Sequence, residues 1–139
     1  MKKILIDLNI ILDMLNKRQD HESAARIINK CFSRNVKGFI CSHEITTLAY
    51  FLEKEEYPKE KINFTITKLL DIFTVISATE KILRNALISE IMDYKDAVIE
   101  ASALNEKIDF IVSRNLNDFK KSKINAMDAK EALGILSDL

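Results

Sequence analysis

The sequence predicts an α/β fold in which helices flank a central parallel sheet. Apolar runs of strand length alternate with longer segments of helical period along the chain. Parallel strands that are joined by right-handed crossover helices produce this alternation. Only two glycines and one proline interrupt the 139 residues, and the sequence contains no repeat and no low-complexity tract. We therefore predict a single domain over residues 1–139.

Five short apolar runs are predicted to be the strands of this sheet. The first, Lys3-Ile4-Leu5-Ile6, is apolar after its lysine, which is typical of a buried strand. Gly38 is expected to introduce the second strand, and the third is rich in β-branched and aromatic residues. The predicted strands cover residues 3–6, 39–41, 73–76, 110–112 and 124–126.

The segments between and after these strands have helical periodicity. Asn9 and Ser42 are predicted N-caps, and Pro58 suits the first turn of its helix. The first predicted helix follows Asn9, and another begins at residues 79–80. The other predicted helices cover residues 21–34, 42–52, 58–70, 94–105 and 128–136. The side chains predicted to face the core in the first three helices are Ile11, Leu12, Leu15, Ala24, Ile27, Ile28, Cys31, Ile45, Leu48, Ala49 and Leu52.

Composition and charge exclude several classes of protein. Lysine plus arginine equals aspartate plus glutamate at 21 each, which argues against wholesale coating of DNA. The first apolar run stops at Asp7, so we expect no signal peptide, no association with a membrane and a cytoplasmic location. Cys31 and Cys41, with His21 and His43, have the spacing of no known zinc motif. We expect these cysteines to be buried and reduced.

Acidic residues follow the predicted strands, where ligands bind in open parallel sheets. Asp7 closes the first strand, Glu44 lies three residues after the second, and Asp118 follows the fourth. Asp96 lies at the start of the alanine-rich helix that leads into the fourth strand. We therefore predict that these four carboxylates converge at one edge of the sheet.

Each of these acids also has an ordinary structural explanation. Asp93 and Asp96 suit an N-cap and a first helical turn, Glu44 suits a first turn, and Asp118 suits a turn. Together, however, four carboxylates without a basic partner of fixed position repel one another, and a divalent cation relieves that repulsion. Ligands that are all oxygen favour Mg²⁺ or Mn²⁺ over zinc. Such a site can hydrolyse phosphodiesters.

The same positions carry a resemblance to PIN-domain nucleases. Asp7-Leu8-Asn9 resembles their opening motif, which is usually Asp-Thr/Ser-Asn, and Ser42-His43-Glu44-Ile45 looks like the segment of their second acid. Asp93-Tyr94-Lys95-Asp96-Ala97 resembles their third motif, with Asp96 as the matching acid. The segment from Phe110 to Phe119 is similar to the fourth, a strand followed by Thr/Ser-x-Asn and Asp-Phe. The resemblance spans the whole chain.

The resemblance implies a PIN-like α/β sandwich and Mg²⁺- or Mn²⁺-dependent cleavage of RNA by Asp7, Glu44, Asp96 and Asp118. Short members similar to VapC are commonly toxins that dimerise and are silenced by a small antitoxin protein. Leu8 departs from the pattern, because it replaces a hydroxyl residue. Four further residues are expected to support the acids: Asn9, Asp93, Ser113 and Asn115. The candidate partner surface carries Tyr50, Phe51, Tyr57 and Phe64.

Other functions remain open at this point. A phosphatase of the haloacid-dehalogenase type needs Asp-x-Asp where this chain has Asn9, and the paired acids of a receiver domain are missing. The main alternative is a non-catalytic PIN-like scaffold that binds RNA or protein. Glu100 is expected to be a solvated acid. The candidate phosphate contacts are Lys95, Arg114, Lys120, Lys121 and Lys123.

Overall fold

A single sheet of five strands organises the computed structural model, which describes residues 1–137. The strands are β1 (Lys3–Ile6), β2 (Lys37–Cys41), β3 (Thr74–Ile76), β4 (Phe110–Val112) and β5 (Ala126–Met127). Their order is β3-β2-β1-β4-β5, and every neighbouring pair is parallel. The predicted α/β fold with a central parallel sheet is therefore confirmed. Residues 138 and 139, which the single-domain prediction includes, lie outside the described residues.

Helices cover both faces of the sheet. They are α1 (Leu8–Leu15), α2 (His21–Phe32), α3 (Ser42–Lys54), α4 (Lys59–Ile72), α5 (Glu80–Ala86), α6 (Tyr94–Asn105) and α7 (Ala129–Leu136). One face packs against α1 to α4 and α7, and the other packs against α5 and α6. The longest helix between residues 1 and 137 has 14 residues, and none of the helices there is long and apolar enough to cross a bilayer.

The alternation of side chains along β1 explains its continuous apolar sequence. Ile4 and Ile6 belong to the core beneath α1 to α4 and α7, whereas Leu5 belongs to the core beneath α5 and α6. All three side chains are at most 1% exposed. A strand with helices on both faces has no solvent side, and so it needs no polar residues.

The path of the chain through the sheet fixes where a ligand can bind. The chain runs from β1 outward to β2 and β3, and then returns to β4 on the other side of β1. Ile6 of β1 pairs with Val112 of β4, and the Asp7 N–H donates to the Val112 carbonyl at 2.9 Å. The crevice beyond these two strand ends is the topological switch point, where open α/β sheets bind their ligands.

Two predicted helix caps are wrong. The N-cap position of α1 is Asp7 rather than Asn9, and the N-cap position of α3 is Cys41 rather than Ser42. Neither of these residues caps its helix through its side chain. The reason is that both helices begin at or just after a strand end, without an intervening loop. The cap position therefore falls on the last strand residue or on the residue that follows it.

Several element boundaries also differ from the prediction. Gly38 lies inside β2, which begins at Lys37 because Lys37 pairs with Lys3 of β1. Helix α2 ends at Phe32 and not at residue 34, since Arg34 has a left-handed backbone with φ 64°. Among the remaining differences, α4 extends to Ile72, β3 begins at Thr74, β5 covers Ala126–Met127, and a 3₁₀ helix at Leu116–Phe119 was not predicted.

Candidate active site

Asp7 lies at the switch point and is held there by hydrogen bonds. Its side chain is almost completely buried. The Ser113 hydroxyl donates to Asp7 Oδ2 at 2.7 Å, and the Asn9 amide donates to the same oxygen at 3.4 Å. Ser113 Oγ in turn accepts the Asn115 N–H at 3.1 Å. Asn9 and Ser113 thus contact Asp7 directly, while Asn115 contacts it through Ser113 and uses its backbone.

Glu44 lies in the first turn of α3 and is 1% exposed. The Leu8 N–H donates to Glu44 Oε1 at 3.0 Å, whereas Oε2 is buried and has no partner among residues 1–137. Burial, and then the neighbouring Asp7 carboxylate, raise the pKa of Glu44 to about 9. At neutral pH this carboxyl therefore holds a proton. A buried oxygen without a partner is a position where a cation would replace that proton favourably.

Asp96 and Asp118 form the second part of the site. Asp96 is buried in the first turn of α6, and burial is the main cause that raises its pKa. Its N–H donates to Asp93 Oδ1 at 3.1 Å, so Asp93 is the N-cap of α6, as its structural explanation predicted. Asp118 is exposed and lies on the 3₁₀ helix Leu116–Phe119. Asp93, Asp96 and Asp118 line a cavity of about 360 Å³ together with Lys120 and Lys121.

Lys95 is a basic partner that the sequence analysis did not place among the acids. Its ammonium lies 3.4 Å from Asp96 Oδ1, and the side chain is about half exposed. Partial burial alone would lower the pKa of Lys95, but Asp96, Glu44 and Asp7 together raise it. The expectation that the acids lack a basic partner of fixed position is therefore wrong. Because Lys95 precedes Asp96 directly, helical spacing gave no reason to pair them.

The four acids form two pairs rather than one finished metal site. Asp7 raises the pKa of Glu44, whereas Asp93 and, less strongly, Asp118 raise the pKa of Asp96. No three His, Cys, Asp or Glu side chains within the described chain lie together as a complete set of metal ligands. The donor set nevertheless fits a hard divalent cation, because all of its atoms are oxygen and Glu44 Oε2 is unpaired.

The cysteines and histidines do not form a zinc site within residues 1–137. Cys31 and Cys41 are free and buried, as predicted. Burial raises the pKa of each thiol to about 12, so neither offers the thiolate that zinc requires. His43 adjoins the acids instead: burial and then Lys95 lower its pKa, and both of its ring nitrogens lack partners in the described structure.

An ion pair between the buried Asp13 and the partly exposed Arg114, beside the site, was not predicted from the sequence. Asp13 on α1 is 1% exposed and accepts from Arg114 Nη1 at 2.9 Å. Arg114 Nη2 donates to Asn9 Oδ1 at 3.4 Å, which links this pair to Asp7 through Asn9. Arg114 is therefore engaged with Asp13 rather than free for a phosphate. An acid within the otherwise apolar helix α1 was the available signal, since a buried charge needs a partner.

The prediction that Glu100 is solvated is wrong. Glu100 is 3% exposed and accepts from the Ser89 hydroxyl at 2.6 Å and from the Lys123 N–H at 2.7 Å. These hydrogen bonds connect two loops to α6. Helical periodicity could not reveal them, because the partners of Glu100 lie 11 and 23 residues away in the sequence. Lys123 lines a separate cavity of about 390 Å³ with Glu100 and Ser89. It does not line the cavity of Asp96 and Asp118.

Comparison with known proteins identifies the family. Residues 3–117 match the profile of the PIN domain. The chain belongs to the PIN domain family. This result confirms the predicted resemblance, and Asp118 follows directly after the matched residues.

Solved structures of VapC-type proteins share the fold of this PIN domain. VapBC2 from Rickettsia felis, bound to a promoter DNA fragment, matches with a TM-score of 0.69 and 18% identity over 91% of this chain and 98% of that chain. A toxin–antitoxin complex from Klebsiella pneumoniae matches with a TM-score of 0.70 and 19% identity over 91% of this chain and 97% of that chain. VapC20 from Mycobacterium tuberculosis, a toxin that cleaves the sarcin–ricin loop, matches with a TM-score of 0.65 and 14% identity over 88% of this chain and 98% of that chain. Among curated proteins, no relative matches this sequence.

Proposed function

We propose that this PIN domain is an endoribonuclease that depends on Mg²⁺ or Mn²⁺ and acts as the toxin of a toxin–antitoxin pair. The observation that carries the proposal is the unpaired, buried oxygen of Glu44 beside Asp7 at the switch point of the sheet. A buried carboxyl with a raised pKa in a crevice is a typical feature of a functional site. The family and the fold of the VapC-type neighbours support the same function.

The residues of the site have distinct roles in this proposal. Asp7, Glu44, Asp96 and Asp118 would hold the cation. When bound, Mg²⁺ or Mn²⁺ would make a water more acidic and would neutralise charge on the scissile phosphate. Ser113 and Asn9 keep Asp7 oriented through their hydrogen bonds to Oδ2. Supporting hydrogen bonds of this kind commonly contribute roughly 10–100-fold to metal affinity or activity.

RNA is the proposed substrate. The cavity that contains Asp96 and Asp118 also carries Lys120 and Lys121, whose ammonium groups suit contacts with phosphates. The name of the structural neighbour VapC20 describes cleavage of the sarcin–ricin loop, which supports RNA rather than DNA as the substrate of this chain.

Two exposed apolar surfaces suit the proposed partners. Tyr50, Phe51 and Phe64 are exposed on α3 and α4, and we propose that they bind a small antitoxin. Tyr57, which was grouped with them from the sequence, packs against the core. The second surface lies between α5 and α6 and is the proposed contact between two copies of this chain. It consists of Leu87, Ile88 and Met92, which are 70%, 81% and 92% exposed.

The proposed cellular compartment is the cytoplasm. Cys31 and Cys41 are both free, which suits a reducing environment.

The test of the nuclease is a cleavage assay on a mixed pool of labelled RNAs with Mn²⁺, Mg²⁺ or EDTA. Asp7→Asn and Asp96→Asn remove one acid from each pair while preserving side-chain size. Asp71→Asn, at an exposed position on α4, is the matched control. We expect cleavage by wild type and by Asp71→Asn with Mn²⁺ or Mg²⁺. We expect none with EDTA, and none by the two site variants.

The alternative function is a non-catalytic PIN-like scaffold. A scaffold would bind RNA or protein in EDTA as well as in Mn²⁺. It would also show neither cleavage nor a rise in melting temperature when Mn²⁺ is added. That combination in the wild-type protein would reject the nuclease.

A further inference from the structure

Lys95 contacts Asp96 and interacts electrostatically with Asp7 and Glu44. Its ammonium is 3.4 Å from Asp96 Oδ1, and the neighbouring Glu44 and Asp7 carboxyl groups also raise its pKa. It therefore touches one pair and interacts electrostatically with the other. The side chain is about half exposed, so it can leave the site without unfolding α6.

No other cation within residues 1–137 pairs with these four acids. Of the ion pairs in the described structure, only that of Lys95 includes Asp7, Glu44, Asp96 or Asp118. Arg114 pairs with Asp13 at 2.9 Å. Lys120 and Lys121 are exposed side chains at the cavity that Asp96 and Asp118 line. The charge at the centre of the site thus depends on a single lysine.

We propose that Lys95 is an internal counter-ion, which holds Asp96 together with Asp7 and Glu44 without metal and competes with a divalent cation for the same oxygens. The part that concerns metal rests on the proposed function, whereas the part that concerns the acids does not. A bound cation would displace the Lys95 ammonium toward solvent, where it would be available to a phosphate. Lys95 would therefore set the concentration of metal at which the site fills.

Elementary electrostatics gives the direction and size of the effect. A positive charge a few ångströms from a divalent cation opposes its binding by well over tenfold at the effective dielectric of a protein surface. A flexible lysine relieves most of this repulsion because it swings away. We therefore expect that removal of the Lys95 charge lowers the dissociation constant for Mn²⁺ about tenfold.

The first measurement is Mn²⁺ binding by calorimetric titration of the purified protein without RNA. Lys95→Met keeps the length of the side chain and removes its charge, and Lys95→Arg restores the charge. Lys59→Met, at the exposed start of α4, is the control, because it changes the net charge equally at a position far from Lys95 in the sequence. We expect about tenfold tighter binding in Lys95→Met alone. Unchanged or weaker binding in that variant overturns the competition.

The second measurement is the melting temperature in EDTA, which does not depend on the proposed metal. We expect Lys95→Met to melt several degrees below wild type, because the acids then repel one another. In the Asp96→Asn background the same substitution should have a much smaller effect. Equal effects in both backgrounds would show that Lys95 does not hold the acids together. If wild type binds no Mn²⁺, the metal part of the proposed function fails, and this melting experiment alone decides the role of Lys95.

Discussion

At the scale of single residues, Glu44 carries the strongest perturbation in the site. Burial and the neighbouring Asp7 raise its pKa from the ordinary 4.5 to about 9. The folded protein therefore retains a proton that the unfolded chain releases above about pH 4.5. A raised pKa of this kind stabilises the folded protein. This stabilisation is fully present below the pKa of the group in the unfolded chain, and it is lost as the pH rises through the pKa in the folded protein.

We predict that the wild-type protein in EDTA loses stability between about pH 5 and pH 9. One proton gives a slope of up to about 1.4 kcal/mol per pH unit in the free energy of unfolding. Glu44→Gln mimics the neutral carboxyl at every pH, so its slope should be flatter. Urea unfolding at several pH values measures both slopes. Identical slopes for the two proteins would contradict the assignment of this proton to Glu44.

Ser113 makes the shortest hydrogen bond to Asp7, with its hydroxyl 2.7 Å from Oδ2. We predict that Ser113→Ala lowers RNA cleavage by roughly 10–100-fold, because Asp7 loses its orientation. It should also cost about 1–3 kcal/mol of stability, since a buried carboxylate loses a donor. Cleavage rates and urea unfolding measure the two effects.

Ser102 provides a matched control for the loss of a buried hydroxyl. It is 1% exposed on α6, and within residues 1–137 its Oγ makes no hydrogen bond to Asp7, Glu44, Asp96 or Asp118. Ser102→Ala should therefore leave both cleavage and stability nearly unchanged. If Ser102→Ala and Ser113→Ala behave alike, the bond from Ser113 to Asp7 has no special role.

At the scale of secondary-structure elements, Gly38 allows α2 and β2 to approach closely. A Cβ at this position would lie 2.6 Å from Cys31 Sγ and 2.8 Å from Phe73 Cδ1. Both neighbours belong to the buried core beneath α1 to α4, so neither has free space to move into. Gly38 was predicted to introduce a strand, but in the structure it lets two elements pack closely.

We predict that Gly38→Ala lowers the free energy of unfolding by about 1–3 kcal/mol, because it overpacks the core. Cys31→Ala in the same background should restore part of this loss, since it removes the closest atom. Gly134→Ala is the control: nothing lies within 4 Å of a Cβ there, and alanine favours the helix. Urea unfolding of the four proteins measures the changes. A Gly38→Ala protein as stable as wild type would contradict the close packing.

At the scale of the whole molecule, the exposed apolar side chains between α5 and α6 are the proposed contact between two copies. We predict that wild type forms a dimer in light scattering and that Leu87→Ser with Ile88→Ser converts it to a monomer. Removal of apolar area from the centre of an interface commonly lowers affinity strongly. Ile135→Ser, at a half-exposed position on α7, should leave the dimer intact. A wild-type protein that is monomeric at high concentration would reject this interface.

Much of the fold was predictable from the sequence because helical and strand periodicities are local. Residues 94–105 and 110–112 were predicted with the bounds that α6 and β4 have in the structure. The parallel order followed from the alternation of strands and helices. The boundaries of strands were predicted less well where pairing with a neighbouring strand decides them. Lys37 joins β2 because Lys3 lies beside it, and no local pattern contains that information.

The sequence by itself determined the class of fold, the PIN-like motifs and the positions of Asp7, Glu44, Asp96 and Asp118 along the chain. Only the tertiary structure decided that Lys95 lies among these acids and that Glu100 is buried and hydrogen-bonded elsewhere. The physical reason is that burial and charge interactions depend on distance in space. Periodicity records which side of an element faces the core, but it does not record which distant residue that side meets.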